Sequence, residues 1–278
     1  MQKQSVLIIG ASDLGTACSL RLFHAGLQVI ILEKDCPLDI YHSRSFSSTV
    51  YSGFKSINNI KAKTYARALE EDILKANSDI SDFIKFTTLN REIPVITETD
   101  KSFLKKIKLN YIIVCDLVLF ENIKNNLPEN IKIIGFDAEI DTKNFSYTIC
   151  NAGSYFGRAF YAFNELSSSE TKVHLNKKDI FKQIKAPLEG VFKSSKSIDD
   201  LIHEKEEIGK INDIPILSPE LGRISGILNS GVIIPAGTVF VEINTSHSGQ
   251  SGYVLSRDSF CLAGAVLEVI LYDFQLLD

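Results

Sequence analysis

The segment Gly10-Ala11-Ser12-Asp13-Leu14-Gly15 follows directly on the apolar run Val6-Leu7-Ile8-Ile9. A glycine at the end of a strand permits a tight turn, and another at the start of the next helix lets helix and sheet pack closely. The N–H groups of the first helical turn then face any anion held there, so the chemistry on offer is capture of a pyrophosphate. Ser12 stands where such fingerprints carry a middle glycine. Its hydroxymethyl group adds bulk near the phosphate, and its hydroxyl can donate to it. Glu33 comes 18 residues after Gly15 and is placed to accept from a ribose diol. Its charge disfavours a 2′-phosphate, which puts NAD before NADP. The candidate cofactor-binding residues are therefore Gly10, Ala11, Ser12, Asp13, Leu14, Gly15 and Glu33. Arg44 joins them under one of two readings. Together with Ser43, Ser45, Ser47 and Ser48 it either lies in a solvated loop leading to a short helix around Phe46 to Tyr51 or clamps a phosphate beyond the second strand.

The elements that must position these residues are legible on both sides. Leu14, Ala17, Cys18, Leu20, Leu22 and Ala25 keep a helical period up to Gly26, a C-terminal stop, and Leu27 to Leu32 reads as a second strand. Strand, glycine turn, helix, strand and terminal acid make the opening βαβ unit of a dinucleotide-binding fold. Further on, 66–76 and 81–86 fit helices, Ile93 to Ile96 an edge or closing strand, and 111–116 and 132–136 buried strands. The expected fold class is α/β: a Rossmann-like domain over 1–165 with a largely parallel sheet.

Other chemistry-bearing residues are less suggestive. Cys18, Cys36, Cys115, Cys150 and Cys261 form no C-x-x-C pair, and Cys115, Cys150 and Cys261 sit in apolar runs, as core residues of a reduced protein do. No metal site is expected. Asp199, Asp200, Glu204, Glu206 and Glu207 alternate with apolar residues and read as a solvated face. His174, His203 and His247 are isolated. A net charge of −4 and a pI near 5.8 argue against a nucleic-acid or anionic-membrane binder. The sequence from Met1 to Val6 shows no signal-peptide pattern, and no apolar run is long enough to span a bilayer, so a cytoplasmic chain is expected.

The second half repeats itself. An offset of 32 residues aligns Ile184 with Ile216, Pro187 with Pro219, Gly190 with Gly222, Ile202 with Ile234, Ile208 with Phe240 and Ile211 with Ile243. Two copies are too few for a solenoid, so a closed pseudo-twofold β-structure is expected over 180–246, its halves covering each other's apolar faces. The pattern resembles the barrel-sandwich hybrid of biotinyl and lipoyl domains. Ile211 stands where their carrier lysine belongs and Lys210 is one place off, so no biotin or lipoyl attachment is expected and a docking module is the better reading. Over 256–278, Ser256 caps a final helix with Asp258 in its first turn. That helix is apolar on almost every face and is expected to be buried against the domains.

Several segments together resemble one family, the accessory proteins of selenium-dependent molybdenum hydroxylases, similar in role to xanthine dehydrogenase maturation factors. They are Val6 to Gly15, Glu33 and Pro37, Arg44 to Tyr51, Ile93-Pro94-Val95, Tyr111 to Asp116, Gly157-Arg158, Ala186-Pro187, Ser218-Pro219 and Gly264 to Glu268. The resemblance spans nearly the whole chain in order. It implies a nucleotide-binding front domain, a nucleotide such as NAD as cofactor, and a molybdenum hydroxylase or its maturation proteins as partner. The chain departs from the family at Ser12, at Glu121-Asn122 in place of a basic pair, and in a loop near Ile149 to Gly153 that is largely deleted. Those departures support an alternative, a degenerate non-catalytic scaffold that docks a partner enzyme. A free-standing NAD-dependent oxidoreductase lacks a Tyr-x-x-x-Lys pair in a suitable helix.

Overall fold

The computed structural model describes residues 4–71, 78–137, 145–161, 181–246 and 251–275. His174, His247 and the second half of the helix expected over 66–76 lie outside them. The chain divides into two units: 1–37, 46–175 and 256–278 form the first, and 38–45 with 176–255 form the second. The division differs from a simple front-and-back arrangement at two places. The stretch from Leu38 to Ser45, read with the first domain, belongs to the second unit, and the final helix belongs to the first.

The first unit is built on a nine-stranded sheet. Its strands are β1 (Ser5–Ile9), β2 (Gln28–Glu33), β3 (Phe54–Ile57), β4 (Ile60–Thr64), β5 (Ile93–Thr97), β6 (Tyr111–Val114), β7 (Lys132–Asp137), β8 (Tyr147–Cys150) and β9 (Ala159–Phe160). The order is β3-β4-β5-β2-β1-β6-β7-β8-β9, parallel throughout except for β3 and β9 at the edges. The chain winds outward from β1 to one side through β2, and later to the other side through β6. The ladder places Ile9 beside Leu32 and Val114, so all three strands end together.

Helices α1 (Asp13–His24), α2 (Thr49–Ser52), α3 (Tyr65–Glu70), α4 (Ile80–Leu89), α5 (Leu117–Ile123) and α6 (Arg257–Gln275) complete this unit. Alternation along β1 sends Leu7 and Ile9 into a core with Ala68, Phe83, Phe120 and Ile123 from α3, α4 and α5. The opposite face takes α1, and α6 packs on α1, β8 and β9. Ser256 caps α6, accepting the Ser259 N–H at 3.1 Å. The helix is not buried all round. Cys261, Glu268, Leu271 and Tyr272 lie on an exposed side, so Cys261 is not a core residue. Its inner end is anchored by Asp273, which accepts from Tyr111 Oη at 2.5 Å, Lys132 Nζ at 2.5 Å and Tyr147 Oη at 2.6 Å.

The run Ile93 to Ile96 is no edge strand: β5 lies between β4 and β2. Pro94 is tolerated there because pairing with β2 begins only at Val95, beyond the residue that lacks an N–H.

The second unit contains two four-stranded sheets, β10-β17-β15-β12 and β14-β13-β11-β16. The strands are β10 (Phe181–Lys185), β11 (Gly190–Lys193), β12 (Leu201–Ile202), β13 (Glu207–Ile211), β14 (Ile214–Leu217), β15 (Gly222–Ile227), β16 (Ile233–Ile234) and β17 (Val239–Asn244). The 32-residue offset carries the first four strands onto the last four in order, and carries one sheet onto the other. Each sheet therefore holds two strands from each half. The equivalence extends to single hydrogen bonds: Asp199 N donates to Ile224 O and Gly231 N to Phe192 O, while Lys205 N donates to Ser218 O and Gly237 N to Ala186 O. It also explains two strained residues. Asp199 (φ +71°) and Lys205 (φ +64°) occupy the left-handed positions that Gly231 (φ +94°) and Gly237 (φ +81°) fill in the second half. Phe192, Ile208, Ile224, Phe240 and their neighbours make one core between the sheets, to which Ile40 is added from afar.

Candidate functional site

The three strand ends at Ile9, Leu32 and Val114 bring the candidate residues of the first unit together. Gly10 leaves β1 with φ +84°, and a Cβ on it would fall 2.6 Å from the Asp116 Cβ. A Cβ on Gly15 would fall 1.9 Å from the Gly10 carbonyl oxygen. Both glycines are thus dictated by close approach of backbone to its surroundings, as the turn's spacing implies. Ser12 has an ordinary negative φ of −62° and makes no side-chain cap, so nothing in the turn demands a glycine there. The first i→i−4 bond of α1 is Thr16 N to Ser12 O. The N–H groups of Asp13, Leu14 and Gly15 precede it, which is the arrangement that favours an anion.

The side chains around this turn are already engaged. Glu33 is buried at the end of β2; its Oε2 accepts the Ala11 N–H at 2.7 Å and the Ser47 hydroxyl at 2.6 Å, and its Oε1 accepts the Lys34 N–H at 2.8 Å. The short 3₁₀ turn Phe46–Ser48 docks on the same place, with Ser47 N donating to Ala11 O at 3.0 Å and Phe46 N to Thr16 Oγ1 at 2.8 Å. Lys34 Nζ pairs with Asp116 Oδ2 at 2.6 Å, while Asp116 Oδ1 caps α5 through the Leu119 N–H at 2.9 Å. Asp13 turns to the start of α6, where its Oδ2 accepts from Ser256 Oγ and Ser259 Oγ, each at 2.6 Å. Three carboxylates, Asp13, Glu33 and Asp116, thus surround the turn with Lys34 as the cation among them.

Arg44 sits in the second unit, its guanidinium 4.3 Å from the centre of the Tyr41 ring and its Nη1 donating to Val254 O at 3.0 Å. The same excursion places Tyr41 Oη on the buried Glu242 at 2.9 Å and Ser43 Oγ on Gly252 O at 2.8 Å. These contacts hold the segment against the rest of the second unit. The short helix it was expected to lead into is present, as the 3₁₀ turn and α2.

Sequence reasoning missed Lys34 and Asp116. Their signal was present: each is the first polar side chain past an apolar strand that flanks β1. It also left open whether distant cysteines meet, and two do. Cys18, from α1, lies beside Cys115 behind the turn; its interaction with Cys18, burial, and the charges of Glu33 and Asp116 push the Cys115 thiol well above its ordinary range. Such a thiol is a poor nucleophile at neutral pH. The acidic group around residue 200 serves local turns: Asp200 accepts the Ser197 N–H, and Glu206 accepts the His203 N–H and pairs with Lys196.

No family model matches the chain. It is 26% identical over 276 residues to the uncharacterized protein YqeB of Escherichia coli (strain K12), an alignment covering 96% of this chain and 47% of that protein. The chain thus spans about half the length of the curated relative it matches. Among the described residues, no helix is long and apolar enough to cross a membrane.

Proposed function

We propose that this chain is an accessory protein of a molybdenum hydroxylase system of the selenium-dependent kind, and that its first unit is a Rossmann-like domain holding a nucleotide at the turn from Gly10 to Gly15. One observation carries the nucleotide part: a left-handed glycine leaves β1 where the sheet reverses its direction of winding, with the first N–H groups of α1 beside it. Ligands of open α/β sheets collect at such a reversal, outside the carboxyl ends of the strands. The order β5-β2-β1-β6-β7-β8 supports the Rossmann-like reading. Glu33 stands at the end of β2, where an acid accepts from a ribose. A carboxylate oxygen accepts more than one hydrogen bond, so the Ala11 and Lys34 contacts leave that role compatible. Lys34, paired with Asp116 beside the turn, is the cation that would meet a phosphate. NAD bound there would supply hydride chemistry, whereas ATP or CTP would supply a phosphoryl or nucleotidyl group. The ordered segment matches across the chain support the molybdenum hydroxylase part.

The interleaved sheets and the 32-residue repeat support reading the second unit as a barrel-sandwich hybrid. The hairpin between its halves turns at Asn212-Asp213, with Ile211 buried in β13 and paired to Ile214. A docking role fits this module better than a prosthetic group.

The test is calorimetric titration of the purified chain with NAD(H), NADP(H), ATP, CTP and molybdopterin nucleotides. Saturable heat with a ligand lacking a 2′-phosphate is expected; absence of heat with all of them ends the nucleotide reading. The second reading, a degenerate scaffold that keeps the turn for packing, is favoured by the internal engagement of Glu33 and by the Lys34–Asp116 pair. It requires a hydroxylase subunit or maturation protein to be recovered with the tagged chain from its native cells in the absence of added nucleotide.

A further inference from the structure

The second unit carries two crevices that its internal repeat makes equivalent. One, of about 210 Å³, is lined by Asp199, Ser225 and Asn244; the other, of about 480 Å³, is lined by Gly231, Lys193 and Asn212. These are the same three positions shifted by 32 residues. The smaller crevice is where the chain packs its own segment Ser251-Gly252. Asp199 Oδ2 accepts from Ser251 Oγ at 2.5 Å and Asp199 Oδ1 from Gly252 N at 2.9 Å. Gly252 lies so close that a Cβ on it would come within 3.0 Å of Ser225 O. The crevice is thus a receptor for a turn of backbone, closed by Val254 N donating to Ser251 O and recognised through its N–H and hydroxyl donors by a carboxylate.

The larger crevice has the same backbone frame with its polarity inverted. Gly231 removes the carboxylate that Asp199 supplies, and Lys193 replaces Ser225. Lys193 also stands directly opposite Lys210 across β11 and β13, a like-charge pairing that costs stability unless an anion joins it. The nearest relief for Lys210 is Glu207, at a loose 3.9 Å, and among the described residues no carboxylate lies within ion-pair distance of Lys193. Asp213 and Glu207 also line the crevice, which disfavours a diffuse polyanion and leaves room for a ligand carrying both donors and acceptors, as a peptide does.

We propose that the Lys193–Lys210 crevice binds an acidic peptide segment of a partner protein, its carboxylate between the two lysines. Gly231, whose Cβ position is open with nothing within 4 Å, leaves space for the backbone beside it. The inference is independent of whether the first unit binds a nucleotide.

The experiment uses the full chain, isotopically labelled, titrated with a ten-residue Gly/Ser peptide bearing two adjacent Asp residues, the same peptide with Asn in their place, and a short single-stranded oligonucleotide. Amide shifts confined to Lys193, Ser194, Gly209, Lys210 and Gly231 are expected with the acidic peptide. Affinity should fall at least tenfold for the Asn peptide and for Lys193→Glu or Lys210→Glu. Both lysines are exposed, so these variants keep the wild-type spectrum elsewhere; Lys193→Arg should retain binding. Equal binding of the two peptides, unchanged affinity in the charge-reversed variants, or an oligonucleotide binding more tightly at the same residues overturns the proposal.

Discussion

Lys34 Nζ and Asp116 Oδ2 lie 2.6 Å apart, tying the chain that leaves β2 to the chain that leaves β6, with the turn of β1 between those strands. Both side chains keep a quarter to a third of their surface in solvent, so the pair is screened and contributes on the order of 0.5 kcal/mol. Lys34→Gln should therefore lower stability by less than about 1 kcal/mol in urea denaturation. On the nucleotide reading, the same variant should weaken nucleotide binding by an order of magnitude in calorimetry, because it removes the cation beside the turn. Unchanged affinity would show that the lysine serves only its partner carboxylate.

The glycine turn should tolerate no side chain. Gly10→Ala meets both a left-handed backbone and the Asp116 Cβ at 2.6 Å, and is expected to cost about 2–3 kcal/mol. Gly15→Ala places a methyl group against a backbone carbonyl that cannot move alone, and should be worse. Guanidinium unfolding monitored by circular dichroism measures both. Ser12→Gly should change stability by less than about 1 kcal/mol, since Ser12 makes no cap.

Asp273 should govern acid stability of the first unit. Burial alone would raise its carboxyl pKa, but hydrogen bonds from Lys132, Tyr111 and Tyr147 outweigh burial and hold it below the ordinary value of 3.8. A carboxyl depressed on folding stabilises the native state above its unfolded value, and that contribution is lost as pH falls through the folded value. Asp273→Asn should cost about 2–3 kcal/mol at pH 7, with the gap to wild type narrowing below about pH 4. Denaturation midpoints from pH 7 to pH 2.5 test this, and a gap that stays constant would refute it. The same network pushes the Tyr111 and Tyr147 hydroxyls up, burial first and the bond to Asp273 second. Both should stay protonated in ultraviolet titration through pH 10.

Two left-handed residues of the second unit, Lys205 and Asp199, should respond to glycine with opposite signs. Lys205 is exposed, and its pairing with Glu204 at 3.5 Å is solvated, so Lys205→Gly relieves backbone strain at little cost and should stabilise by about 0.5–1 kcal/mol. Asp199→Gly relieves similar strain but deletes the bonds to Ser251 and Gly252, and should destabilise by about 1–2 kcal/mol. Thermal unfolding of the two variants, read side by side, measures the difference.

What was readable in the sequence was what repeats or alternates. The continuous apolar runs at 6–9 and 111–114 announced strands buried on both faces, and the 32-residue offset announced strands that exchange between two sheets. The glycines at 10 and 15 were readable because only a missing Cβ satisfies both contacts. What lacked a period was misplaced. Leu38 to Ser45 has two large apolar side chains in sequence, Ile40 and Tyr41, that matter to its docking, and no local pattern says that their partners are Ile227 and Glu242. The contacts of Arg44 with the Tyr41 ring and the Val254 carbonyl have no local sequence signal for the same reason. Pro94 was read as a sign of an edge, because the register that spares its missing N–H is a property of the neighbouring strand.

The interleaving of the second unit bears on how the polypeptide reaches its native state. Neither half can close a sheet alone, so a chain cut at Asn212-Asp213 should yield two fragments that gain structure only on mixing. The hydroxyl of Tyr41 finds its carboxylate 201 residues further along. A nascent chain emerging from the ribosome must therefore keep that early segment uncommitted until nearly the whole second unit has been synthesised, which makes its docking a late event in folding.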